Sequence, residues 1–393
     1  MTNERKTKMK FKVLKSDFLS VLTPAMGSVS NKNTITSIEG VLIETLDNGL
    51  IEVSSYDMNK GVRATFTPTD VEREGKYIIN AQRLYQTVRA LPDDELTIDI
   101  NEKLNCEISC GKASFSIFAS RGEDFPTLPE LTSDKGFSIS CKTLKKVIGK
   151  VSHSIAAQDN RAMLMGAYFK INNEGMEVVS CDSYTLSKCN IACEVNSVTD
   201  NNGAVDHSFI IPGHALSEIN KILPDGDDDE CLFFISRKHA IIKNDNITFF
   251  TRTIDMDYID YNKIIPKDND IFITVNREVL LSSLERANII AEEKIQGSGK
   301  NYVKISVDGD VITLSSTSVN GRLFDEMECI HEGGSIEIGF NCRYIINSIR
   351  AAEGEEIIIS FKSPTHAITI SPKEESEEFD YLYMVLPVRM NEK

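Results

Sequence analysis

Cys181, Asp182 and Tyr184 adjoin in the stretch SCDSYTL (180–186), a thiol, a carboxylate and a phenol within four residues. A thiol nucleophile needs a partnered base, and no histidine lies close by in the sequence. The six histidines (153, 207, 214, 239, 331 and 366) are dispersed singly, as surface or packing residues are. A parallel stretch, SSYDMN (54–59), carries the aspartate without the cysteine, so Asp182 reads as a turn or cap residue. Cys106/Cys110 and Cys189/Cys193 are each spaced C-x3-C, but neither has a second Cys or His pair to complete a tetrahedral metal site. A phosphate-binding loop, a dinucleotide fingerprint, H-E-x-x-H and G-x-S-x-G are all missing. The acidic runs DGDDDE (225–230) and EESEEFD (374–380) read as solvated loop tips, and the first lacks the glycine and terminal glutamate placement of a calcium loop. The sequence therefore predicts no catalytic residue, no metal and no cofactor. A hydrolase with a spatially assembled site stays open as an alternative.

The elements that hold these residues come in threes. YIINAQRLYQTVRALPDDELTIDI from Tyr77, FIIPGHALSEINKILPDGDDDECLFFI from Phe209 and IEIGFNCRYIINSIRAAEGEEIIISF from Ile336 share one order: apolar strand, turn, amphipathic helix, acidic turn, apolar strand. Their helix starts, Asn80, Pro212 and Asn341, are 132 and 129 residues apart. That spacing is the length of a domain, well beyond the roughly 20–50 residues of a solenoid unit. A second trio precedes them: VLKSDFLSVL from Val13, SISCKTLKKVI from Ser138 and TVNREVLLSSL from Thr274. Each domain thus looks internally doubled, a strand–helix–three-strand unit repeated. The fold class is α+β, with three tandem domains at 9–130, 137–266 and 270–390. The connectors LPELTSDKG (128–136) and PKDND (266–270) are short, polar and turn-rich.

Charge is partitioned between these elements. The chain of 393 residues carries 43 Lys and Arg against 59 Asp and Glu, a net −16. Helices are expected at 14–22, 80–91, 141–151, 212–223, 276–287 and 341–352. They hold twelve basic residues (Lys15, Arg83, Arg89, Lys142, Lys145, Lys146, Lys150, Lys221, Arg277, Arg286, Arg343, Arg350) against four acids (Asp17, Glu218, Glu278, Glu285). A shared basic helix face suits a polyanion, bound weakly and without base readout. Lysine and arginine suit helix exteriors in any case, but glutamate does equally and is scarce here. Nine scattered cysteines point to a reducing cytoplasm. The N-terminal MTNERKTKMK lacks the apolar core of a signal peptide, and no apolar run approaches the roughly 20 residues of a membrane span.

Together MKFKV at the start, AAQDNRAMLMGAYF (156–169), FIIPGHALSEINKIL, IEIGFNCRYIINSI and YMVLPVRM (383–390) resemble the bacterial DNA polymerase sliding clamp family, in order and spacing, over essentially the whole chain from Met9. The resemblance implies a head-to-tail homodimeric ring with sheets outside and helices lining a hole around duplex DNA. Such a clamp does no chemistry. It confers processivity by tethering the polymerase catalytic subunit, and it also receives the clamp loader and repair proteins through short apolar peptides.

Carried over by position, the peptide pocket comprises Leu164, Ser183, Tyr184, Thr185, Leu186, Ile259, Lys263, Ile264, Thr365, Met384, Val385, Leu386, Pro387, Val388, Arg389 and Met390. Lys32, Gln158 and Arg161 join the helical cations Arg83, Arg89, Lys142, Lys145, Lys146, Lys150, Lys221, Arg277, Arg343 and Arg350 as expected DNA contacts, with Lys142, Lys145, Lys146 and Lys150 expected to face solvent. Subunit contacts fall to Arg83, Phe115 and Ile117 of one chain against Ile289 and Ile290 of the other. The chain departs from the family pattern where CDSYTL stands for TDGHRL, where Ile259 replaces a proline, and where Ala162 and Met163 replace aromatics. A repeat-built scaffold that binds no DNA is the remaining alternative.

Overall fold

The structure is a computed structural model that describes residues 8–30, 36–131, 133, 135–199, 204–236, 238–291, 302–319, 321–374, 376 and 379–390. Its residues fall into two compact units. The first lies within Met1–Lys142, Ser197–Gly203 and Ser217–Thr253; the second lies within Thr143–Asn196, Ala204–Leu216 and Ile254–Lys393.

Six α-helices are present among the described residues: α1 Lys15–Met26, α2 Ala81–Ala90, α3 Cys141–Val151, α4 Gly213–Ile222, α5 Arg277–Ala291 and α6 Cys342–Ala351. The caps show why α2 and α6 start where they do. The Asn80 side chain accepts from the Arg83 amide at 3.0 Å, and Asn341 accepts from that of Arg343 at 3.1 Å, each satisfying an orphan donor of the first turn. Both helices then bury one stripe: Ala81, Leu84, Thr87 and Val88 in α2, and Cys342, Ile345, Ile346 and Ile349 in α6. Two helices outrun the sequence expectation. α1 continues past 22 through Pro24 to Met26, where the buried Lys60 ammonium donates to the Gly27 carbonyl and closes the helix end. α5 continues to Ala291, so Ile289 and Ile290 are helical.

Each domain is the predicted doubled unit, with an exchange that the pattern did not reveal. The first strand of each half pairs in the other half's sheet. Met9–Leu14 pairs with Glu95–Ile100, and Lys76–Asn80 with Gly40–Thr45. The same exchange recurs in Lys135–Ser140 with Glu230–Ile235, Asp206–Pro212 with Gly166–Asn172, Ile271–Asn276 with Glu356–Phe361, and Ile336–Phe340 with Val303–Asp308.

A second rule joins successive domains. The fourth strand of one domain's first half pairs antiparallel with the last strand of the next domain. Lys60–Phe66 takes Ile247–Arg252, and Thr185–Ala192 takes Phe379–Val385. Among the described residues the result is a fourteen-stranded sheet in the first unit, and a nine-stranded and a four-stranded sheet in the second. Phe11, Phe18 and Phe66 meet under α1, with ring centroids 5.6–6.1 Å apart. Leu284, Ile345, Ile349, Phe340 and Phe361 centre the apolar core of the second unit.

Candidate functional site

Asp182 is a turn residue. Its Oδ1 accepts from the Tyr184 amide at 2.9 Å, the Thr185 amide at 2.6 Å and the Thr185 hydroxyl at 3.0 Å. Asp57 does the same for the amides of Asn59 and Lys60, at 2.9 and 2.8 Å. The residue after each aspartate takes a left-handed backbone, φ +76° at Met58 and +78° at Ser183. A side chain there costs about 1–2 kcal/mol relative to glycine. At Ser183 the hydroxyl offsets that cost by accepting from Arg161 and donating to Asp159 at 3.4 Å.

Cys106 and Cys110 lie in the strand Asn105–Cys110, whereas Cys189 lies in Thr185–Ala192 and Cys193 directly follows it. Four residues of extended chain span roughly 13 Å, too far for one ion. Burial holds the Cys106 and Cys189 thiols at about 12, so neither is a ready nucleophile.

Behind the 182–185 turn lies a compact apolar cluster of Ala156, Leu164, Val179, Cys181, Leu186, Tyr261 and Met384, flanked by Met163, Tyr168, Tyr258, Ile259, Ile265 and Ala367. It unites the expected pocket residues Leu164, Leu186, Ile259 and Met384. Beside it the Tyr261 hydroxyl donates to Glu177, which also pairs with Lys188 at 2.6 Å. At the outer edge the Tyr184 ring, 49% exposed, stacks on Tyr344 of α6 with centroids 5.5 Å apart and planes 15° from parallel. Tyr344 escaped the sequence reading because it sits off the buried stripe of α6.

The last segment of chain closes this region. The Leu386 amide donates to the Tyr184 carbonyl at 2.8 Å, and the Val388 amide to that of Gly339 at 2.8 Å. Met390 lies over Gly339, where a Cβ would come within 2.8 Å of its Cγ. Leu386, Arg389, Thr365, Lys263 and Ile264 are exposed; Pro387, Val388 and Met390 are half-buried.

Among the described residues, two open strand edges bear on assembly. Residues 113–118 of Ala113–Arg121 pair with Asn105–Cys110, and on the other side only residues 119–121 are paired. Its Phe115 and Phe118 are 41% and 79% exposed. Arg322–Glu328 is the outer strand of the four-stranded sheet, and its Phe324 is 69% exposed.

Residues 9–129, 138–260 and 262–389 match, in order, the N-terminal, central and C-terminal domains of the DNA polymerase III beta subunit. The chain belongs to that family. It is 26% identical to the beta sliding clamp of Staphylococcus epidermidis over 391 residues, covering 97% of this chain and 99% of the relative. A crystal structure of a putative DNA polymerase III beta subunit from Eubacterium rectale superposes with TM-score 0.86 at 26% identity, covering 97% of this chain and all of that one. The Thermotoga maritima beta subunit, 24% identical, shares the fold with TM-score 0.87 over 98% of this chain and all of that one.

Three of the expected site residues sit differently in the structure. Val385 does not join the apolar cluster. Successive side chains on Phe379–Val385 alternate faces, so Met384 enters the cluster behind the turn while Val385 enters the core of the C-terminal domain. Ile264 points outward, 44% exposed, and Ile265 takes the inward place. Lys150 is not an open cation on α3. It is 8% exposed, donates to the Ala351 carbonyl at 2.6 Å and pairs with Glu353 at 2.7 Å.

Other helical cations are also engaged. Lys142 pairs with Asp227, Lys146 with Glu353, Lys221 with Glu218, Arg277 with Glu278 and Arg350 with Glu285. Arg161 grips Asp159 through Nε and Nη2, both at 3.0 Å, and holds its carboxyl down at about 2. Arg83 and Arg89 on α2 have no carboxylate partner among the described residues, and Arg89 lies over the Tyr85 ring at 5.6 Å. Lys145 and Arg343 make other contacts. Gln158 is exposed and borders an open hollow with Asp159, Asn160, Arg161 and Met165. Lys32 lies outside the described residues.

Proposed function

We propose that this chain is a cytoplasmic, non-catalytic sliding clamp, a homodimeric ring that encloses duplex DNA without reading its sequence. The proposed domains are 9–130, 137–266 and 270–390. The observation that carries this reading is the joining rule between domains. It is satisfied twice within the chain, and its third application lacks both halves. Among the described residues, Arg322–Glu328, the fourth strand of its half, pairs with no following last strand, and residues 113–118 of a last strand pair with no preceding fourth strand. A second copy supplies both, head to tail and twice over, which closes the assembly. Phe115 and Ile117 then meet Ile289 and Ile290 of the other copy, and Phe118 and Phe324 cover each other.

Phe118→Asp tests the closure. Phe118 is 79% exposed, so the chain folds, and loss of a buried interface aromatic weakens association by about 30-fold or more. Sedimentation at micromolar concentration is expected to show two copies for the parent and one for the variant. An undivided variant dimer excludes this edge.

The basic helices supply the DNA-facing charge in this reading. Arg83, Arg89, Lys142, Lys145, Lys146, Lys221, Arg277, Arg343 and Arg350 are the proposed contacts, with Gln158 and Arg161 beside them. Exposed ion pairs such as Lys142 with Asp227 are weak and screened, so phosphate can replace the carboxylate. Arg89→Glu combined with Lys142→Glu is expected to cut retention on nicked circular DNA by about ten-fold or more, with a shallower salt dependence. Linearising the circle should release the parent protein. A parent that stays on linear DNA, or never associates with the circle, defeats the topological reading.

The pocket around Leu164, Leu186, Ile259 and Met384, rimmed by Ser183, Tyr184, Thr185, Lys263, Ile264, Thr365 and 386–390, is the proposed seat for short apolar peptides. These come from the polymerase catalytic subunit, the clamp loader and repair proteins. An extended peptide with apolar anchors fits an apolar cluster with exposed Leu386 and Ile264 at its mouth.

A further inference from the structure

The Tyr184–Tyr344 stack is held more firmly than an exposed aromatic usually is. The turn fixes Tyr184 from three sides: its amide on Asp182 Oδ1, its carbonyl under the Leu386 amide, and its predecessor Ser183 at φ +78°, tied through its hydroxyl to Arg161 and Asp159. One ring face rests on Tyr344 and nearly half of the side chain remains open. A rigid ring with one free face loses little entropy on contact.

The charge beside it cancels. Arg161 is bidentate to Asp159, and the positions next to the turn that carry His-Arg in the family pattern are Tyr184 and Thr185 here. An acidic flank on a bound peptide therefore finds no unpaired cation in this turn, whereas a neutral planar ring finds a third place in a stack.

We propose that Tyr184, backed by Tyr344, selects partner peptides that carry an aromatic side chain flanking their apolar anchors, distinct from any anchor within the cluster. This inference rests on the peptide-pocket reading above. A stacked aromatic contact is worth about three- to ten-fold in affinity.

The test uses fluorescein-labelled peptides with a Leu-Phe anchor pair and Tyr, Ala or Arg at the flanking position on either side, titrated against the full chain. On one side, the parent is expected to bind the Tyr-flanked peptide about three- to ten-fold tighter than the Ala-flanked one. Tyr184→Ala should erase that ratio, whatever its effect on the Ala-flanked affinity, and Tyr184→Phe should keep it. A ratio that survives in Tyr184→Ala, a parent without preference on either side, or a parent that favours Arg over Tyr overturns the proposal. If no peptide binds the parent, or Leu386→Asp leaves binding of every peptide unchanged, the pocket reading itself fails and takes this inference with it.

Discussion

Leu186→Asp is expected to unfold the region around it. Leu186 is fully buried, on the central strand Thr185–Ala192, between Gly175–Cys181 and Phe379–Val385. Its neighbours are Leu164, Val179, Cys181, Tyr261 and Met384, which leave a carboxylate there without a cationic partner. An uncompensated buried charge costs about 3–5 kcal/mol, a large part of the stability of an ordinary domain. Urea denaturation of parent and variant measures it, and the midpoint is expected to fall steeply. A variant with the parent's midpoint means that water reaches position 186. For the peptide question, Leu386→Asp and Ile264→Asp are the sound choices, because both side chains are already substantially exposed.

Acidification is expected to weaken the second unit well before carboxylates titrate. His153 Nε2 lies 3.1 Å from the Ser187 hydroxyl and 3.5 Å from that of Ser348, and its ring meets Tyr383 edge-on at 5.1 Å. Its Nδ1 is buried without a hydrogen-bond partner among the described residues. Burial first, then the Lys150 charge, holds its pKa down at about 4. The folded state therefore binds this proton less readily than the unfolded chain, whose histidine titrates near 6.5.

A depressed histidine makes stability rise with pH between those two values, full above about 6.5 and lost as pH falls toward 4. At pH 5 the loss is about 2 kcal/mol. Glu177 and Glu353, whose pKa values are also lowered, add their losses only at lower pH. His239 in the first unit is shifted the same way, by burial and then by Arg252 and Lys238, so His153→Gln is the discriminating variant. Its urea midpoint should change much less than the parent's between pH 7 and pH 5. Equal slopes in both proteins would mean that His153 is not the group responsible.

The sequence repeats were legible because caps and stripes are local. Asn80 and Asn341 sit at the same helical position and cap in the same way, and the turn at Asp182 could be recognised from Asp57. The strand exchange within each domain was not legible, since Met9–Leu14 finds its partner some eighty residues away and no local periodicity records that choice. Two of the corrected residues were within reach of simple geometry. Strict alternation along DYLYMV sends Met384 and Val385 to opposite faces. Helical spacing puts Lys150 next to the stripe of Leu144, Val147 and Val151, so counting it among open charges ignored its angular position. Ser183 was different. A serine in a slot that suits glycine becomes intelligible only when the hydroxyl is seen holding Arg161.

The central domain owns no sheet of its own. Lys135–Ser140 and 230–252 extend the sheet of the N-terminal domain, while 166–192 and Asp206–Pro212 extend that of the C-terminal domain. Modules of heredity and modules of cohesion are thus offset by half a period. A copying event that adds one 130-residue segment adds two half-sheets with raw margins, useful only when neighbours are already there to be spliced onto. Excising the middle segment exposes the edges of Lys60–Phe66 and Phe379–Val385.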